Sequence, residues 1–272
     1  MRGLGTGSIT LSGVSGTVTQ AYLYWAGPTN STSPTANASV LFGGTSILGT
    51  NIGFSQDNFW GFANSQAYRA DVTSLVMGNG IYSLANFTKP DAEVNGASLI
   101  VFFNDGNSAN NHDVVLFNGN DANFPNPFDA LGWNSSLAGI NYTSGTAALS
   151  LHVSDGQDFF GPDDGTLLLN GTAIATGDIF QGNTLPSAGG GVDNGNLWDI
   201  RTFDVTSFLA PGVNILNFQL DAINDALGLI VAAVELPVGS APVVTPIPEP
   251  ETYALMLAGL AAIRLVTRRR KP

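Results

Sequence analysis

The chain has no cysteine in 272 residues, which excludes a disulfide framework, thiol nucleophiles and thiolate metal centres. It has only two histidines, so histidine-rich metal sites and nucleophile–histidine triads have little material. No Gly-rich phosphate loop and no paired-glutamate helix is present. Charged residues make up only 11% of the chain, and their balance is one-sided. Arg264, Arg268, Arg269, Arg270 and Lys271 crowd the C-terminus, with Glu249 and Glu251 just ahead of them. The remaining chain holds 4 basic and 19 acidic residues. A body that acidic repels phosphate backbones, so nucleic acid is not an expected partner. Divalent cations and neutral polysaccharide are compatible with it.

What the chain does have begins at its C-terminus. Pro248-Glu249-Pro250-Glu251 precedes a 14-residue apolar stretch, Tyr253 to Val266, and the cluster Arg268-Arg269-Arg270-Lys271 follows at once. As a helix that stretch is about 21 Å long, short of the roughly 30 Å hydrocarbon core. Arg264 stands where a long side chain can snorkel to the interface. The basic end should stay cytoplasmic, which puts the residues before Pro248 across the membrane.

A Pro-Glu-Pro tripeptide, an apolar helix and an arginine cluster in this order resemble the PEP-CTERM sorting signal of Gram-negative exosortase substrates. The resemblance covers about a tenth of the chain. It implies export, transient anchoring in the inner membrane, cutting by an exosortase near Pro248, Glu249 and Pro250, and a final place at the cell surface or in the extracellular matrix. An ordinary tail anchor is the alternative. Met1-Arg-Gly-Leu-Gly-Thr-Gly-Ser-Ile-Thr10 is not a secretory leader, so a start codon upstream of Met1 is expected to supply one, the alternative being that the chain is a fragment.

The body carries an internal repeat. Ala21-Tyr-Leu-Tyr-Trp25 and Val40-Leu-Phe-Gly-Gly-Thr-Ser-Ile47 recur 127 residues later as Ala148-Leu-Ser-Leu-His152 and Leu167-Leu-Leu-Asn-Gly-Thr-Ala-Ile174. Asp71-Val-Thr-Ser matches Asp204-Val-Thr-Ser at 133, and Leu99-Ile-Val101 matches Leu229-Ile-Val231 at 130. Alternation in Val213-Asn-Ile-Leu-Asn-Phe-Gln-Leu220, the apolar block Ala97 to Phe103, and Gly-Gly and Asn-Gly turn signals all predict short strands. The Asp-Val-Thr-Ser blocks predict short helical turns capped by Asp71 or Thr73.

The fold expected is all-β: two tandem related β-sandwich or jelly-roll modules, 1–130 and 131–238. A Pro-rich linker at 239–252 and a single-helix sorting tail at 253–272 complete it. The body also loosely resembles β-sandwich modules of bacterial and archaeal surface proteins whose function is unassigned.

Three groups are candidate sites. Asp155, Asp158, Asp163 and Asp164 lie within ten residues broken by Gly and Pro. Short acidic loops of this kind supply the oxygens that Ca²⁺ prefers, although the spacing is not that of an EF-hand. A solvated acidic turn is the alternative. Phe59, Trp60 and Phe62, with Phe54 nearby, offer flat rings for stacking on sugars, or else a satellite core under a loop. His112 lies in a polar stretch with Asp105 near. His152 falls on the strand face opposite Leu149, Leu151 and Val153, as a surface or domain-interface residue.

These features favour a non-enzymatic envelope or extracellular-matrix protein, with an exosortase, the membrane and exopolysaccharide as its partners. A carbohydrate-binding protein and a polysaccharide hydrolase with carboxylates drawn from distant loops are the alternatives.

Overall fold

The computed structural model describes residues 3–57, 61–157, 163–183, 196–220 and 225–240. By its contacts the chain divides into a unit Met1–Ala241 and a unit Pro242–Pro272. The sorting-signal residues Pro248, Glu249, Pro250, Arg268, Arg269 and Arg270 lie outside the described residues, as does the apolar stretch.

Among its described residues the first unit is all-β, with sixteen strands in four antiparallel sheets. The strands of its N-terminal part are β1 (Gly7–Leu11), β2 (Thr17–Thr29), β3 (Ser39–Phe42), β4 (Thr45–Leu48), β5 (Thr50–Ser55), β6 (Asn64–Asp71), β7 (Gly80–Ala85) and β8 (Gly96–Asn104). The rest are β9 (His112–Ala122), β10 (Trp133–Tyr142), β11 (Ala148–Ser154), β12 (Thr166–Leu169), β13 (Thr172–Thr176), β14 (Trp198–Asp204), β15 (Gly212–Leu220) and β16 (Gly228–Pro237). Sheet one runs β1-β7-β3-β4 and sheet two β5-β6-β2-β8. Sheet three runs β14-β11-β16-β9 and sheet four β10-β15-β12-β13.

Side chains on a strand alternate between its two faces, and β2 uses both. Leu23 and Trp25 join Val40, Phe42 and Leu84 in a core between sheets one and two. Tyr24 and Ala26 point the other way and meet Trp198, Ile230 and Val231, between sheets two and three. A third core of Leu149, Leu151, Leu167, Leu169 and Phe218 fills the space between sheets three and four. The two middle sheets are thus buried on both faces, which is why β2 reads as a continuous apolar run. The outer sheets alternate: β15 buries Leu216, Phe218 and Leu220 and turns Val213 and Ile215 to solvent.

The strand orders of sheets one and four correspond position by position, β1 to β10, β7 to β15, β3 to β12 and β4 to β13. In the middle sheets β6-β2-β8 corresponds to β14-β11-β16. Both hairpins, β3–β4 and β12–β13, close through two residues with positive φ, Gly43-Gly44 and Asn170-Gly171, as a type I′ turn requires.

The Asp-Val-Thr-Ser blocks form one-turn 3-10 helices, Thr73–Leu75 and Thr206–Phe208. Asp71 Oδ1 accepts from the Thr73 amide and Asp204 Oδ1 from the Thr206 amide, each at 2.9 Å. The threonine hydroxyls in turn accept from the Ala21 and Ala147 amides, and Ala21 O and Ala147 O accept from Val72 N and Val205 N. Ala21 therefore corresponds to Ala147, an offset of 126.

The hydrogen-bonded frame revises two of the sequence alignments. Leu23 pairs with Leu99, and its counterpart Leu149 with Val234. Tyr22 thus corresponds to Ala148 rather than Leu149, and Leu99 to Val234 rather than Leu229. Val40 and Leu167 keep the offset of 127, as the second residues of matching four-residue strands. Short apolar blocks resemble one another at several offsets, whereas a one-residue slip in a ladder would turn every core side chain outward.

Sheets two and three are held together by buried contacts. Gly96 lets them approach: a Cβ there would stand 2.5 Å from Trp198 Cβ. The Ser98 hydroxyl and His152 Nδ1 are hydrogen-bonded at 2.7 Å, and the Ser154 hydroxyl donates to Asp57 Oδ2 at 2.8 Å. Separating the sheets would expose this core and orphan these polar groups, so residues 3–240 are expected to unfold in one transition. Scanning calorimetry that resolves two transitions would contradict this coupling.

Candidate functional site

A group of buried polar side chains rich in carboxyls lies where β11 ends and β16 begins. Asp155, Gln157, Asp164, Asp199 and Asp225 are all at least 94% buried. Each reaches the interior by a defined local device. Asp155 adopts a left-handed backbone (φ 70°) that bends the chain after β11, while its amide donates to Leu197 O at 3.0 Å. Gly156 follows because a Cβ there would meet Phe180 O at 2.4 Å and Asp199 Oδ2 at 2.6 Å.

Asp164 Oδ2 accepts from the amides of Ile179 and Phe180 at 2.6 and 2.7 Å, and so shapes the turn after β13. Asp199 Oδ2 accepts from the Gly182 amide at 2.7 Å. Asp225 Oδ1 accepts from the Ala226 amide at 2.9 Å and from the Gln157 side-chain amide. Asn123, after β9, clamps the same segment by donating to Asp225 O at 3.0 Å and accepting from Leu227 N at 2.9 Å.

These hydrogen bonds leave oxygens over. Asp164 Oδ1, Asp225 Oδ2 and Gln157 Oε1 are buried without a hydrogen-bond partner among the described residues. A buried polar atom left in this state costs about 1–3 kcal/mol. The carboxyls also disturb one another. Burial, then the charges of Asp164 and Asp178, push Asp225 up to about 8. Burial, then Asp178 and Asp199, push Asp164 up to about 6, against the pull of its two backbone amides. Among the described residues no cationic side chain offsets either group. Such an arrangement can hold protons between carboxyls or hold a hard cation. Among the described residues no three Asp, Glu or His side chains are grouped to hold a metal by themselves. Amide and main-chain oxygens would have to complete any such shell.

The four acids singled out in the sequence separate. Asp155 and Asp164 turn inward, whereas Asp163 is exposed and its Oδ1 accepts from the Gly165 amide at 2.8 Å. Asp158 lies outside the described residues. Gln157, Asp178, Asp199 and Asp225 were not found by sequence reasoning. Their single signal is weak: Asp178 follows Gly177, and Asp199 interrupts the apolar start of β14.

Of the aromatic candidates, only Phe62 and the nearby Phe54 are among the described residues. Phe59 and Trp60 lie outside the described residues. Phe62 is half-buried, and its carbonyl accepts from Gln56 Nε2 at 3.2 Å. Phe54 stacks on Phe128, with centroids 5.9 Å apart.

His112 opens β9 and pairs with Glu235 at 3.0 Å rather than with Asp105, whose carboxylate accepts from Asn107 N and Asn110 Nδ2. An open groove of about 250 Å³ runs between His112, Glu235, Thr202 and Asp204. His152 lies between sheets two and three, only 5% exposed. No family model, no curated protein and no solved structure matches the chain.

Proposed function

We propose that the chain is a non-enzymatic envelope or extracellular-matrix protein, exported and then cut at its C-terminal sorting signal by an exosortase. The observation that carries this reading is the ordered Pro248-Glu249-Pro250, apolar and arginine-rich series, which follows a β body whose last strand ends at Pro237. From 241 to 247 the sequence inserts Ala-Pro-Val-Val-Thr-Pro-Ile. Its two prolines cannot donate to a sheet and favour extended chain, which suits a segment presented to a processing enzyme.

The body is read as two tandem β-sandwich modules from a duplicated ancestor. The matching strand orders, the paired Asp-x-Thr turns and the I′ hairpins support this reading. Each module contributes one sheet to an outer face and one to the middle of the stack. β9 belongs to neither repeat. It follows the first module in sequence and hydrogen-bonds to β16 of the second, so it fastens one to the other.

Expressed with an exosortase, the protein is expected to lose everything beyond about Pro250 and to leave the inner membrane. Replacing both Pro248 and Pro250 by alanine should keep the tail attached and the protein in the membrane fraction. Mass spectrometry of surface material that still finds peptides through Arg268 joined to the body would refute the proposal.

A further inference from the structure

Gln157 and Asp164 stand near the two ends of the connection from β11 to β12, and Asp225 stands before β16. Each is at least 94% buried, and each keeps one oxygen without a hydrogen-bond partner among the described residues. Gln157 and Asp225 are in direct contact through the amide-to-carboxylate hydrogen bond. Asp164 Oδ2 accepts from the Phe180 amide, and Phe180 O lies against Gly156, the neighbour of Gln157; the charge of Asp164 also acts on Asp225. Gln157 matters most here because it is neutral. Its Oε1 has no charge reason to seek this place, and its amide nitrogen is already committed to Asp225.

We propose that Asp164 Oδ1, Asp225 Oδ2 and Gln157 Oε1 are ligands of a structural Ca²⁺ ion that ties the chain after β11 to the segments before β12 and β16.

The chemistry favours calcium over other cations. All the donors are oxygens, which suits a hard ion, and the chain has no cysteine to recruit a soft one. Mixed carboxylate and amide oxygens on irregular loops match the six- to eight-fold, flexible shell of Ca²⁺. Mg²⁺ demands near-octahedral geometry and keeps several waters, whereas these three oxygens belong to side chains at least 94% buried. Two positive charges would also relieve the repulsion between Asp164 and Asp225, which no side-chain cation among the described residues relieves.

The test uses the full chain, stripped with EDTA and followed by calorimetric titration and thermal melting. Ca²⁺ at a hundred times its measured Kd should raise Tm by about 5–10 °C for a body of this size. In EDTA at about pH 9, where both carboxyls are ionised, Asp225→Asn should melt above the wild type, because an amide no longer faces the charge of Asp164, and it should lose most of the calcium response. Gln157→Met, which keeps the volume and removes the oxygen, should weaken binding at least tenfold. Asp163→Asn, on the exposed neighbour, should respond as the wild type does. Three results would each overturn the site: equal Tm in EDTA and in Ca²⁺, an equal rise from Mg²⁺ or from NaCl of matched ionic strength, or a calcium shift that survives Asp225→Asn.

Discussion

Replacing Trp25 by alanine is expected to destabilise the fold by about 3–5 kcal/mol, a large part of the 5–15 kcal/mol that holds a typical domain together. The indole is fully buried in the core between sheets one and two. It stacks on Tyr68 with centroids 5.5 Å apart and meets Phe87 edge-on at 5.7 Å. Gly49 leaves room for it: a Cβ there would stand 2.3 Å from the indole Cη2. The indole N–H donates to Asn37 O at 2.9 Å, while Asn37 N donates to the Tyr68 hydroxyl and Asn37 Nδ2 to Phe87 O.

Truncation therefore removes ring packing and a buried hydrogen bond together. Trp25→Phe separates the two. It keeps most of the packing, leaves Asn37 O unpaired, and should cost about 1–3 kcal/mol for that group. Leu151 occupies the matching ladder position of β11, since Trp25 pairs with Ala97 and Leu151 with Ala232. Leu151→Ala should cost about 2–5 kcal/mol and lower the same unfolding transition. Urea denaturation of the three variants measures these values. A loss under 1 kcal/mol for Trp25→Ala would remove Trp25 as the anchor of its core.

The all-β character was legible from turn signals and short apolar blocks, and the Asp-Val-Thr-Ser turns were legible from a capping pattern. Ladder register was not. Ala21-Tyr-Leu-Tyr-Trp-Ala26 is apolar on both faces because β2 lies in a middle sheet, so alternation gave no parity to align on. The acidic site was half legible. Asp163 and Asp164 are neighbours in sequence, but Asp163 Oδ1 accepts from the Gly165 amide at the surface while Asp164 Oδ2 is drawn inward by the amides of Ile179 and Phe180. Asp199 and Asp225 stand 35 and 61 residues beyond Asp164, each alone among apolar or small neighbours. Only the return of β14 and β16 alongside β11 brings them back to the loop after β11.

Acid should expose the cost of the buried imidazole. His152 sits on β11 between Ile200 of β14 and Val231 of β16, with the Ser98 hydroxyl at 2.7 Å across the gap from sheet two. Burial pushes its pKa down to about 4, against about 6.5 in an unfolded chain. The folded state thus keeps the ring neutral where the unfolded state has already protonated it. Its contribution to stability is intact above pH 6.5 and is lost as pH falls from 6.5 to 4. A shift of this size amounts to roughly 3 kcal/mol.

The raw pH curve will not display that loss alone. Asp121, pushed up to about 7 by burial, then by a hydrogen bond to Asp129 and the charge of that group, works in the opposite direction, because a carboxyl that prefers its neutral form is stabilised by acid. The informative quantity is the stability difference between the wild type and His152→Gln. Glutamine can hydrogen-bond Ser98 but cannot take up a proton in this range. That difference should be level above pH 7 and move by roughly 3 kcal/mol in favour of the variant between pH 6.5 and 4. Denaturant titrations at half-unit pH steps measure it. A difference that stays level throughout would mean that the imidazole is protonated as readily in the folded protein as in the unfolded chain, and that sheets two and three do not close over it.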